Sequence, residues 1–168
     1  MAVVHWFRND LRLQDNTALA AASAAAQGQL ITLCISTPEQ WRRHDDAPIK
    51  QDYWRRNLHI LQQSLAELGI PLLFAEVANY QDIPRLLEML LPALQATQLH
   101  CNREYPLNEQ ERDSAVLTMC GQLGIRMRVH DDQTLLPPEQ IENKSGKPFK
   151  VFTPFSRAVR AKLSELTM

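Results

Sequence analysis

The greatest capacity for chemistry lies in Trp6–Asn16. There an opening apolar run gives way to alternating Arg8, Asp10, Arg12 and Asp15 in WFRNDLRLQDN. If that run is a parallel strand, these charges fall at its carboxyl end, where open α/β sheets hold their ligands. Such residues can fix a polar ligand. They can equally pair among themselves, Arg8 or Arg12 against Asp10, with Asp15 or Asn16 capping the next helix. A second polar cluster, Asn108-Glu109-Gln110-Glu111, has the form of a helix start, with Asn108 as N-cap and Glu111 as its capping-box partner.

Other chemistries lack their residues. The five glycines form neither the G-x-G-x-x-G of dinucleotide-binding folds nor a P-loop. His5, His44, His59, His100 and His130 show no metal-ligand spacing, and no serine sits in a nucleophile elbow. Cys34, Cys101 and Cys120 lie in apolar surroundings without a C-x-x-C, which fits reduced core thiols of a cytoplasmic protein. A net charge of −1 gives no long-range attraction to phosphate backbones, membranes or acidic substrates. No apolar run approaches the roughly 20 residues that span a bilayer, and the first residues do not form a secretion signal.

The elements that position these residues follow from periodicity. Nearly continuous apolar runs at 2–7, 29–36, 71–77, 98–102 and 125–130 read as strands covered on both faces. They alternate with helical segments, which implies an α/β fold: a doubly wound, Rossmann-like sheet of five parallel strands flanked by helices, in three layers. The alanine run at 18–26 is a helix stopped by Gly28. Trp54, Leu58, Leu61, Leu65 and Leu68 mark the sheet-facing stripe of a helix over about 49–68. Gly69 and Gly124 end two helices in the same way, each followed by an isoleucine that opens a strand. Asp82 and Pro84 start another helix, which Pro92 should end or kink after Leu91.

After residue 131 the character changes. Pro137-Pro138, a turn at 143–146 and KVFTPF precede a last helical stretch, with six basic and no acidic residues between Lys144 and Lys162. Residues 1–131 are therefore expected to form the α/β domain and 132–168 a connector. The chain stops at LSELTM without a terminating device, as a piece of a longer protein would.

WFRNDLRLQDNTAL closely resembles the opening of the photolyase and cryptochrome family. STPEQWRRH at 36–44, Asn108-Glu109 before a helix, and KVFTPF at 150–155 resemble the folate-type bacterial photolyases that act on cyclobutane pyrimidine dimers. The resemblance implies an amino-terminal domain that helps hold 5,10-methenyltetrahydrofolate as a light-harvesting antenna. The partners it implies are a missing carboxyl-terminal domain carrying reduced FAD and, through that domain, ultraviolet-damaged DNA. This chain alone is then expected to be inactive in repair.

The family's pterin-contacting positions match His44, Asn108 and Glu109. An ionised Glu109 carboxylate can accept a ring N–H and an exocyclic amine side by side, Asn108 can complement the remaining edge, and His44 can stack or donate. After His44 the chain departs from the family's usual loop, reading DDAPIKQDYW. Phe149, Phe152 and Phe155 are expected to be partly exposed without the second domain, and the basic tail reads as a solvated or docking face. Two rivals share these features: a cryptochrome photosensor, and a free-standing nucleotide-binding α/β domain. A deazaflavin or flavin antenna is an alternative to folate, and oligomeric state is not encoded in any of these patterns.

Overall fold

The computed structural model describes residues 1–143 and 145–166. It divides into two compact units, 1–130 and 131–168. In the first, strands β1 (Ala2–Phe7), β2 (Leu30–Ser36), β3 (Leu72–Glu76), β4 (Ala96–Asn102) and β5 (Arg126–His130) form one sheet in the order β3-β2-β1-β4-β5. All four pairings are parallel, so every connection crosses over. The crossovers contain α1 (Thr17–Ala25), α2 (Pro38–Arg43), α3 (Pro48–Glu67), α4 (Ile83–Ala93) and α5 (Leu107–Gln122). The doubly wound, three-layer sheet expected from the apolar runs is present.

Alternation along the strands sorts the core into two layers. Val4, Trp6, Leu33, Ile35, Leu99 and Cys101 face Ile83, Leu87 and Leu91 of α4 and Val116 and Cys120 of α5. On the opposite face Phe7 and Cys34 meet Leu19 of α1 and Leu61 and Leu65 of α3. Val3 meets Ala22, where the small alanine side chains let α1 lie close to the sheet. All three cysteines are buried and free.

Local chemistry fixes the element ends. Asn16 caps α1, its side chain accepting from the Leu19 N–H. The ends of α3 and α5 are Schellman motifs: Ile70 N–H donates to Leu65 O over 2.9 Å, and Ile125 N–H donates to Cys120 O over 2.9 Å. Each places its glycine at positive φ, +69° at Gly69 and +68° at Gly124. Leu68 departs from its expected place on the sheet-facing stripe. It is the C-cap of α3 and 63% exposed, because the chain turns away from the sheet there. Pro92 does not end α4 after Leu91; the helix runs to Ala93. In the last turn a proline φ is already helical, and only one bond, to the exposed Glu88, is lost.

The second unit contains a short 3₁₀ turn at Pro138–Gln140, a bridge between Glu142 and Pro148, and α6 (Phe152–Leu166). Helix α6 starts inside KVFTPF, which puts Pro154 in its first turn, where a missing N–H costs little. Val151 is 62% and Phe152 76% exposed, and Phe149 and Phe155 pack edge to face. Lys144, first of the basic residues of the tail, lies outside the described residues. Among those residues no helix is long and apolar enough to cross a membrane.

Candidate functional site

The strand order reverses about β1, which lies between β2 and β4, and α/β sheets open a crevice at such a point beyond the carboxyl ends of the strands. A cavity of about 680 Å³ occupies that place. Asn9–Arg12 after β1 form its floor, Gln40, Trp41 and His44 of the segment after β2 one wall, and Asn108 and Glu109 another. Helix α3 adds Tyr53, Trp54 and Asn57.

His44, Asn108 and Glu109 are brought together here. His44, the C-cap of α2, accepts at Nε2 from the Gln40 amide at 2.9 Å and from the Asn108 amide, 64 residues away, at 3.2 Å. With Nε2 accepting, the ring proton is assigned to Nδ1. Glu109 Oε1 accepts from the Tyr80 hydroxyl at 3.1 Å. Asn108 is not the N-cap of α5. Pro106 takes that position with φ −62° and ψ 153°, and α5 begins at Leu107. A proline at the cap pre-sets the turn, which places Asn108 and Glu109 within the first helical turn instead of ahead of it.

The motif charges after β1 do not face the cavity as free groups. Asp10 accepts from the Arg8 N–H at 2.8 Å and from Asn102 Nδ2 at 2.6 Å. Asn102 also donates to Asn16 Oδ1 at 2.8 Å and accepts from the Ala18 N–H at 3.0 Å. Asp10, Asn16 and Asn102 thus clamp the start of α1 to β1 and β4. The Arg8–Asp10 ion pair allowed by spacing does not form. The Arg8 guanidinium points to α5 instead, donating to Asp113 at 2.6 and 2.8 Å and approaching Glu104 at 3.4 Å. Arg12 donates to the Asp15 carbonyl at 2.6 Å.

Arg112 completes this buried lattice, 2.8 Å from Glu104 and 2.7 Å from Asp113. Its guanidinium lies 5.0 Å from the centre of the Trp6 ring and 4.9 Å from that of Tyr80. Burial, and then the adjacent Glu109 carboxylate, push the Tyr80 phenol well above its usual value, so it remains a donor. On the other side of the cavity Trp41 and Trp54 meet edge to face with centroids 5.3 Å apart, and Trp54 Nε1 donates to Arg8 O at 3.3 Å.

Sequence reasoning missed Tyr80, Gln40, Trp41 and Trp54 as parts of this site. Gln40 and Trp41 stand within the quoted STPEQWRRH segment, and the helical period marks Trp54 only as a core position. Nothing in ANYQD around Tyr80 carries a signal. The assembled groups suit recognition of a planar heteroaromatic ligand: one carboxylate, amide groups, an imidazole and indole faces. They do not suit nucleophilic or metal chemistry. Burial raises the Cys34 thiol to about 12 and the Cys101 thiol to about 11. Among the described residues no three His, Cys, Asp or Glu side chains converge to hold a metal.

The family model for DNA photolyase matches residues 3–168. Curated relatives include the deoxyribodipyrimidine photo-lyase of Vibrio cholerae, 44% identical over 91% of this chain and 32% of the relative, and that of Escherichia coli, 37% identical over 95% and 34%. The chain spans about a third of the length of these relatives. A class III photolyase from Agrobacterium tumefaciens superposes with a TM-score of 0.74 at 31% identity, over 95% of this chain and 31% of that one. The cryptochrome of Synechocystis (0.81, 21% identity, 96% and 33% covered) and an archaeal photolyase of Sulfolobus tokodaii solved with two FAD molecules (0.78, 22%, 94% and 34%) share the fold. A switch-point cavity behind the WFRNDLRLQDN clamp, a five-stranded parallel sheet and a match over nearly the whole length together show that this chain belongs to the DNA photolyase family and corresponds to its amino-terminal α/β domain.

Proposed function

We propose that this chain is the antenna domain of a deoxyribodipyrimidine photolyase and provides part of the site for 5,10-methenyltetrahydrofolate. The observation that carries the reading is the convergence of His44, Asn108 and Glu109, from two distant segments, on one cavity. The donor set fits a pterin. The Tyr80 hydroxyl engages one acceptor position of Glu109 Oε1, which leaves the other position of Oε1 and Oε2 to accept side by side from the amine and ring N–H edge. The Asn108 amide lies beside it, and the Trp41–Trp54 pair offers an apolar wall.

In this reading the chromophore supplies near-ultraviolet and blue absorption, and reduced FAD on the remaining two thirds of the protein supplies the electron that splits a pyrimidine dimer in damaged DNA. The residues of this chain hold and orient. Glu109 fixes the polar edge of the ring, Asn108 sets its in-plane rotation, and His44, itself held by Gln40, closes the rim. Because the site is completed by the second domain, the 168 residues alone bind the folate weakly and repair nothing; a tight stoichiometric folate complex of this chain would overturn that.

A flavin antenna is the second reading, favoured by the size of the cavity, about 680 Å³, and by its further lining with Tyr53 and Asn57 of α3. The absorption spectrum of the full-length protein, purified in dim light beside Glu109→Gln, separates these readings. A folate band over the flavin absorption, lost in the variant, is expected. A folate band that survives the substitution reduces Glu109 to a helix-start carboxylate, and a second flavin spectrum replaces the folate reading.

A further inference from the structure

We propose that Tyr80 is a positioning residue of the antenna site: its hydroxyl aims the Glu109 carboxylate into the cavity and sets the charge that carboxylate presents to the chromophore. The inference rests on the antenna reading above and adds a residue that no sequence motif marks.

Glu109 stands at the third position of α5, half-buried. A carboxylate there is drawn toward the exposed N–H groups of its own helix start, which competes with any ligand for its lone pairs. In this protein that collapse does not occur. Glu109 Oε1 is held instead by Tyr80, 29 residues away, at 3.1 Å. Tyr80 is in turn fixed from behind. It opens the single turn Tyr80–Asp82, tied by the Asn79 N–H donating to Asp82 Oδ2 at 3.0 Å and followed by the fully buried Ile83. Its ring lies on the Arg112 guanidinium at 4.9 Å, and Arg112 is locked by Glu104 and Asp113. The rigid lattice under the cavity floor is thereby connected to Glu109 through one phenolic O–H.

Two consequences follow for a bound chromophore. The carboxylate is pre-aimed, so less conformational entropy is lost on binding. Part of its charge is also taken up by the phenol hydrogen bond, so the field along the ring edge depends on that bond. Removal of the hydroxyl alone therefore changes both affinity and absorption maximum, while the ring of phenylalanine keeps the contact with Arg112.

The test uses the full-length protein as wild type, Tyr80→Phe, Glu109→Gln and the double variant, each titrated with 5,10-methenyltetrahydrofolate. Expected for Tyr80→Phe are an affinity up to about ten-fold weaker, as for one side chain that must be ordered on binding, and a displaced folate band. The variant stays folded and keeps the cooperative melt of the wild type, with at most the loss of the one hydrogen bond. In the Glu109→Gln background the same substitution has little further effect, because Tyr80 acts through Glu109. A Tyr80→Phe protein with wild-type affinity and band position overturns the proposal, as does a loss of affinity that accompanies unfolding and adds independently to Glu109→Gln. A wild type without a folate band instead removes the antenna reading and this inference with it, whereas a folate band indifferent to Glu109→Gln leaves the antenna reading standing without Glu109 and overturns this inference alone.

Discussion

Asn102 Nδ2 lies 2.6 Å from Asp10 Oδ2, across 92 residues of sequence. Asn102 ends β4 and Asp10 stands in the loop just after the neighbouring β1, and their contact closes the crevice floor from below. Asp10 also receives the Arg8 N–H, and Asn102 also supports Asn16, the cap of α1. Asp10→Ala leaves these buried donors without an acceptor and is expected to cost about 2–4 kcal/mol in urea denaturation of this chain. Asp10→Ala combined with Asn102→Ala is expected to cost clearly less than the two added, since one interaction is counted twice. Full additivity would show that the two side chains act separately.

The buried histidines make the domain sensitive to acid. Burial lowers His5 from 6.5 to about 4, and burial followed by the stacked His130 lowers His100 to about 4. His5 is enclosed, and neither ring nitrogen has a hydrogen-bond partner. The unfolded chain takes up protons near pH 6.5 and the folded chain does so only near pH 4, so this contribution is complete above pH 6.5 and is lost as pH falls toward 4. Denaturation midpoints measured between pH 7.5 and 4 should decline over that window, by up to ~3 kcal/mol for His5 alone. His5→Phe should flatten the profile; an unchanged decline would place its origin elsewhere.

Arg112 is buried between Glu104 and Asp113 and between the rings of Trp6 and Tyr80. Arg112→Met leaves two buried carboxylates with Arg8 as their remaining guanidinium partner and is expected to cost about 3–5 kcal/mol. Arg112→Lys should recover little of this, because an ammonium lacks the planar fork and the stacking face. Thermal melts of the three proteins check both statements.

Gly69 and Gly124 sit at φ +69° and +68° in open space, with nothing within 4 Å of an added Cβ. Alanine at either site therefore meets backbone strain without a clash. A loss of about 1–2 kcal/mol is expected for each, and the double substitution should add. A neutral Gly69→Ala would mean that the end of α3 rearranges freely.

Where the chain folds back on its own neighbours, residue patterns were sufficient. The continuous apolar run of Ala2–Phe7, the glycine-isoleucine ends at Gly69 and Gly124, and Asn16 before the alanine helix each specify a local backbone state, because burial on both faces, positive φ and an orphan N–H are local demands. The resemblance also pointed to His44, Asn108 and Glu109. Side-chain partnership was decided only by the tertiary structure. Arg8 bypasses Asp10, two residues away, for Asp113, 105 residues away, because the strand directs its side chain toward α5. Likewise Leu68 leaves the buried stripe, Pro106 displaces Asn108 as the cap, and Tyr80 reaches Glu109. Periodicity reports which way a backbone segment faces, whereas the crossovers of a β3-β2-β1-β4-β5 sheet determine which segments end side by side, and the cavity exists only where they do.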